Sequence, residues 1–280
     1  MSVSFVHLRL HTEYSLVDGL VRVKPLVKAV AGAGMPAVAV TDMSNMCSLV
    51  KFYKTALGGG IKPICGADIW LASRDEDGPL SRLTLLAMDA KGYRNLTELV
   101  SRGWTEGQRN ELVIIERDWV KAAAEGLIAL SGAKEGEIGL ALLEGDESGA
   151  EALWQEWSAV FPGRFYLEVQ RTHRVNDEEY LHAAVALAGR CGAPLVATND
   201  VRFLKQEDFE AHETRVCIGE GRTLDDPRRP RNYSDQQYLK TPEEMAELFS
   251  DLPEALENSV EIAKRCNIEV QLGKYFLPDF

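Results

Sequence analysis

The sequence predicts an α/β protein in which seven β/α units close into a barrel and additional helices follow at the C-terminal end. Three observations carry that prediction. Short apolar, β-branched runs bounded by Gly, Pro or Asp recur through the first 200 residues, helical patterns lie between them, and side chains able to do chemistry sit just past several of the runs.

Strands are expected at 3–8, 37–41, 64–71, 83–87, 126–131, 165–169 and 194–198, and helices at 23–33, 45–56, 92–102, 118–124, 146–160 and 177–190. Such alternation points to parallel strands, because a parallel pair needs a crossover long enough to hold a helix. An open, doubly wound sheet shows the same alternation. The barrel is preferred because it brings every strand end to one face, whereas an open sheet gathers only those near its switch point. Beyond Asp200 the pattern changes to helices without strands, at 206–218, 241–249 and 253–266. The second of these opens on Thr241-Pro242-Glu243-Glu244, a capping box with Pro at the first helical position. The stretch 224–233, LDDPRRPRNY, is too rich in Pro and Arg for a core element and reads as an extended loop. The apolar ending YFLPDF has no polar tail, so the chain is expected to run on into another domain.

With 280 residues, 45% of them hydrophobic, the chain can bury a full core. A net charge of −12 argues against strong independent binding of nucleic acid, which calls for a basic face. The five cysteines are an odd number, scattered and without a C-x-x-C pair, and read as reduced core thiols in a cytoplasm. No signal peptide and no long apolar span direct the chain to a membrane. No internal repeat or P-loop, dinucleotide or G-x-S-x-G motif is present.

His7, Arg9 and His11 occupy alternate positions and would share one face of a strand. Imidazoles on one rigid element can reach one ion, but the central Arg9 is a permanent cation that repels a metal. Carboxylates follow other strands: Asp42, Asp68 and Asp200, with Asp18 in the loop after His11. Gathered at the C-terminal face, such a cluster suits divalent ions and hydrolysis of a phosphate ester. Equally, each Asp suits capping the helix that follows its strand. His173, His182 and His212 lack partners at helical spacing and read as surface or locally bonded side chains. Arg228, Arg229 and Arg231 either touch phosphate or pair with Asp225 and Asp226.

These residues resemble the polymerase and histidinol phosphatase (PHP) domain at the start of bacterial DNA polymerase III alpha subunits. The matching stretches include FVHLRLHTEYSLVDGL, GMPAVAVTDMSNMCSLVKFYKTA, GIKPICGADIW, GLIALSGAKEGEIG, FYLEVQRTHR, PLVATNDVRFL, DDPRRPRNYS and YLKTPEEMAELF, and they run through nearly the whole chain in order. The resemblance implies a distorted (β/α)7 barrel with a metal cluster at its C-terminal face. It places a PHP domain at 1–270 and the start of the connection into the polymerase palm at 271–280. It also implies partners, namely the polymerase domains of the same chain and the proofreading exonuclease subunit, with DNA met only through the parent holoenzyme.

In intact form the family pattern has H-x-H after the first strand, T-D-H after the second, Glu in G-x-E, Cys in L-S-G-C, His after L-E-L, and D-x-H after the last strand. Here Arg9 replaces the first His while His11 keeps the second, and Asp18 keeps a further ligand position. Met43 replaces the His of T-D-H, Asp68 shortens the Glu, Ala133 replaces the Cys, Thr172 or its neighbour His173 stands for the next His, and Arg202 replaces the last one, with Asp200 retained. Two or three ions need roughly four to six donors each, so neither a metal cluster nor another cofactor is expected in this vestigial cleft. Arg9 and Arg202 would neutralise the remaining aspartates instead, with N to O contacts of about 2.7 to 3.2 Å. The expected function is a catalytically inert scaffold beside a template-directed DNA polymerase. A residual phosphoesterase or pyrophosphatase, or a phosphate held by Arg9 and Arg202 without cleavage, are the alternatives.

Overall fold

The computed structural model describes residues 4–74 and 78–274. The expectations for residues 1–3 and 275–280, including most of the anticipated connection, therefore lie outside the described residues. The strands are β1 (Ala37–Val40), β2 (Lys62–Leu71), β3 (Ser81–Ala87), β4 (Gln108–Arg109), β5 (Leu112–Ile115), β6 (Leu127–Leu130), β7 (Phe165–Val169) and β8 (Leu195–Ala197). The helices are α1 (Val23–Gly32), α2 (Leu49–Gly58), α3 (Ala90–Glu106), α4 (Arg117–Ala123), α5 (Glu137–Leu143), α6 (Glu147–Val160), α7 (Asp177–Cys191), α8 (Phe209–Glu220), α9 (Pro242–Leu248) and α10 (Pro253–Arg265).

Strands β1, β2, β3, β6, β7 and β8 lie side by side in that order. The buried N-terminal segment 5–11 closes the ring. On one side Ala39 N donates to His7 O (2.8 Å) and Thr41 N to Leu10 O (2.9 Å), and on the other His11 N donates to Val201 O (2.9 Å). The result is a distorted seven-membered barrel. Its interior is a cluster with a member from each position: Val6 and Leu8, Ala37 and Ala39, Ile64, Leu86, Ile128 and Leu130, Tyr166, and Val196. Ile262, Ala263 and Cys266 at the end of α10 join that cluster, whereas the helices around the barrel pack on the opposite strand faces.

Two expectations are corrected. The first strand has no regular ladder, because its phase changes. Val6 and Leu8 belong to the inner cluster, Phe5 and Leu10 to the outer one, and Arg9 and His11 again turn inward. A one-residue change of phase moves a side chain to the other face, so His7 does not join Arg9 and His11. Its ring packs edge-on against Phe5 and its Nε2 lies 2.8 Å from Lys240 O.

The strands are also not all parallel. β3 runs antiparallel to both β2 and β6, because no helix separates it from β2 and a short connection can only reverse the chain. The expectations also lacked α5 and the β4–β5 hairpin, whose β5 extends the end of β2 through Trp70 and Leu71.

Local signals explain the helix starts. Asp89 and Asp146 accept from Gly92 N and Gly149 N, each at 2.9 Å, and the Thr241–Glu244 capping box forms as expected. Cys65, Cys217 and Cys266 are buried, but Cys47 is exposed and Cys191 only partly covered, so the core-thiol reading holds for three of the five. Among the described residues no helix is long and apolar enough to cross a membrane.

Candidate functional site

Polar groups from six elements meet at one end of the barrel, all of them in its C-terminal rim except those of β3. Arg9 and His11 come from the closing segment, Asp18 from the loop after it, Asp68 from β2, Glu168 from β7, and Asp200 and Arg202 from the segment after β8. Reversed β3 contributes from its beginning, Arg82 and Thr84, since that end lies beside Asp68. Arg9 and Arg202 are among the largest fully buried side chains of the protein.

Arg9 Nη2 donates to Asp68 Oδ2 at 2.9 Å and Nη1 to Glu168 Oε2 at 3.2 Å, while Nε lies 3.3 Å from Asp200 Oδ1. Arg202 Nη2 donates to Asp200 Oδ1 at 2.6 Å, and its Nη1 reaches Asp18 Oδ2 and His11 Nδ1. Asp68 also accepts from Arg82 Nη1 and Thr84 Oγ1, both at 3.1 Å. Gln237 Nε2 donates to Asp200 Oδ2 at 2.7 Å, and Thr198 Oγ1 to Glu168 Oε1 at 2.5 Å. His11 links the two sides, with Nδ1 at 2.9 Å from Asp18 and Nε2 at 3.2 Å from Asp68.

Burial alone would push these carboxyls up. Arg9, Arg82 and His11 instead hold Asp68 well below the usual carboxylate range, and Arg202 followed by His11 does the same for Asp18. Asp200 is held low by Arg202, Arg9 and Arg174 against its burial. Glu168 behaves differently: burial dominates, Asp68 and Asp200 add repulsion, and its carboxyl is raised despite Arg9. His11 is opposed by burial and by Arg202, but Asp18 and Asp68 outweigh them and raise it.

The remaining predicted positions contribute less. Met43 bridges to Asp68 through its backbone and places its sulfur 3.5 Å from Arg82 Nη1. Ala133, buried at φ +51°, brings no polar group, although Glu135 two residues on comes within 3.7 Å of Arg9. Thr172 bonds with Asp177 rather than with the aspartate cluster, and reaches it only through Arg174, whose Nε donates to Thr172 Oγ1 at 2.8 Å. His173 is exposed, so it does not take over the lost ligand position. Asp42 is committed to structure, accepting from Thr12, Ser15 and Ser48 hydroxyls at 2.7 to 2.9 Å.

The other candidates resolve individually. His212 departs from the surface or local role expected of it, being buried with its Nε2 3.0 Å from the carbonyl oxygen of sequence-distant Asp18, and His182 is exposed. Arg228 pairs with Asp226 at 3.1 Å and Arg229 with Glu213. Arg231 lines a cavity of about 460 Å³ together with Lys134, Glu135, Arg174 and Trp70.

The sequence reasoning missed Arg82, Glu168, Arg174, Gln237 and Tyr233, whose hydroxyl is 3.4 Å from Asp18 Oδ2. Glu168 and Arg82 carried a signal, a charge inside an otherwise apolar strand, which a buried strand tolerates only when paired.

A family of this kind implies divalent metal, and the donors present do not fit one. Among the described residues no three His, Cys, Asp or Glu side chains stand together ready for an ion. The carboxylates that do converge already accept from guanidinium groups, so a metal would have to displace fixed cations.

Fold and cleft together define the class: a closed α/β barrel of seven positions with its polar centre where strand ends meet. The chain belongs to the PHP domain family, whose profile matches residues 7–172. It is 87% identical over its full length to the DNA polymerase III subunit alpha of Pseudomonas aeruginosa, and 53% identical over 99% of its length to that of Escherichia coli K12. The chain spans 24% of the length of either relative. A solved metal-dependent phosphoesterase from Bifidobacterium adolescentis aligns with 71% of this chain and 88% of its own, at a TM-score of 0.43 and 14% identity.

Proposed function

We propose that this chain is the N-terminal PHP domain of a replicative DNA polymerase III alpha subunit and acts as an inert scaffold. The domain comprises residues 1–270, with 271–280 leading toward the polymerase palm. It stabilises the attached polymerase, offers surface to the proofreading exonuclease subunit, and works in the cytoplasm within a protein that carries out template-directed DNA synthesis. The observation that supports it best is the saturation of the cleft: Arg9 and Arg202 are 0% and 1% exposed and satisfy Asp18, Asp68 and Asp200. The same pairing weighs against a phosphate held by those two arginines, since the terminal nitrogens of both already donate within the protein and only the Nε of each lacks a hydrogen-bond partner. The acidic balance of −12 favours contact with DNA through the rest of the assembly.

The test pairs two assays. Full-length subunit carrying Arg9→Gln should melt at a lower temperature than the wild type, and the purified chain with manganese should not hydrolyse pyrophosphate or a nitrophenyl phosphate ester. Turnover that Asp68→Asn abolishes would replace this reading with the phosphoesterase.

A further inference from the structure

We propose that the cavity of about 460 Å³ beside the polar centre binds a small aromatic anion, a flat ring bearing one phosphate or carboxylate, and holds it without cleaving it. Its walls come from the segment after β6, the segment between β7 and α7, Trp70 on β2, and the 224–233 loop. None of the residues that line it is a position where the family pattern places a metal ligand.

Although the chain carries a net charge of −12, this wall holds three cations, Lys134, Arg174 and Arg231, against one carboxylate, Glu135. That carboxylate is committed within the protein, 3.4 Å from Arg174 and 3.7 Å from Arg9. Lys134 donates to Val175 O and pairs with Asp177, each at 2.6 Å, while burial and the neighbouring Arg174 hold its ammonium below the ordinary value. Arg231 differs from both, since among the described residues no acceptor meets its guanidinium. Asn176 stands at the N-cap of α7, yet its side chain makes no capping bond and is left facing the same space.

The backbone supports a ligand site independently of charge. Ala133 at φ +51°, His173 at φ +57° and Asn176 at φ +64° flank the two segments that carry Lys134, Glu135, Arg174 and Val175 into the wall. Residues with a Cβ enter that left-handed region at a cost, and such strain concentrates where segments clamp a ligand.

Size and chemistry then select the class. The volume falls within the roughly 300 to 1,000 Å³ of small-molecule sites. A planar guanidinium meets a carboxylate or phosphate through two parallel bonds, which suits Arg231, and the amides of Asn176 and Asn232 stand beside it as further donors. Trp70, whose ring is held by the Arg82 guanidinium 4.0 Å from its centroid, joins Leu140 and Leu143 in an apolar wall for the ring. A bare ion would leave that wall wet, and a neutral ring would leave Arg231 unmet.

Calorimetric titration of the full-length subunit with phenyl phosphate, benzoate and inorganic phosphate tests the site. At least one ring-bearing anion should bind, several-fold more tightly than inorganic phosphate, and the stronger of the two identifies the head group. Arg231→Ala should weaken that binding about tenfold at an unchanged melting temperature, the loss of one charge-assisted contact. Arg228→Ala, in the same loop but paired with Asp226, should leave it unchanged. No binding of either ring-bearing anion at millimolar concentration, equal binding of inorganic phosphate, or equal loss in the two variants overturns the proposal. Release of phenol from phenyl phosphate would overturn both this site as a holding site and the scaffold reading, whereas absence of binding alone leaves the scaffold standing.

Discussion

A fully buried arginine is tolerable only when its charge and its donors are met, and Arg9 lies within 4 Å of four carboxylates, those of Asp68, Glu135, Glu168 and Asp200. Removing one side of such a network leaves charges stranded in low dielectric. Arg9→Gln should therefore lower the unfolding free energy by about 3 to 5 kcal/mol, read by denaturant titration. Arg82→Gln should cost less, since Asp68 retains Arg9, His11 and Thr84. His7 supplies a pH test. Burial pushes its imidazole from 6.5 down to about 4, so below pH 6.5 the unfolded chain binds a proton that the folded chain refuses. Its contribution is complete above pH 6.5 and is lost as the pH falls toward 4, up to about 3 kcal/mol. His11, which is raised, works in the opposite sense, contributing below its ordinary value and losing that contribution as the pH rises through its folded value. His7→Gln should thus flatten the stability loss between about pH 6.5 and pH 4. An unchanged slope would show that His7 is not the group that resists protonation.

At the scale of elements, the reversal of β3 decides what the sequence could reveal. His11, Asp18 and Asp200 were legible because each sits at or just past a strand end or in the loop after it, Arg9 by its alternation with His7 and His11, and Asp68 as a carboxylate within β2, whereas Arg202 was legible only through the family pattern. Arg82 and Thr84 lie at the start of a strand, which a parallel barrel puts at the opposite end, and only the antiparallel pairing with β2 brings them to Asp68. The hint was the absence of a helix between the two strands. Similarly, the inward turn at Arg9 could not be read from alternation, because the backbone changes phase just before it. Helix boundaries were readable where a cap fixed them. Thr241→Ala should cost about 1 kcal/mol through loss of the bond to Glu244 N. Gly92→Ala should cost more, about 1 to 3 kcal/mol, because a Cβ there would stand 1.8 Å from Gly126 O and push α3 off the barrel. Equal unfolding midpoints for wild type and Gly92→Ala would contradict that close packing.

For the molecule as a whole, the barrel gathers polar side chains at one end, and that centre is filled by the protein's own charges. Inner apolar residues occupy one part of the barrel, α10 joins them, and the guanidinium–carboxylate network occupies the other end. That division explains why composition showed only an ordinary acidic protein: the cations that matter are few, buried and matched. We propose that fixed cations stand where the family pattern places metal. Elemental analysis of the purified chain, after incubation with manganese or zinc and removal of free ion, should then find no bound metal in a normally folded protein. Two or three ions per chain would contradict it, since they could bind only by displacing Arg9 and Arg202 from the aspartates.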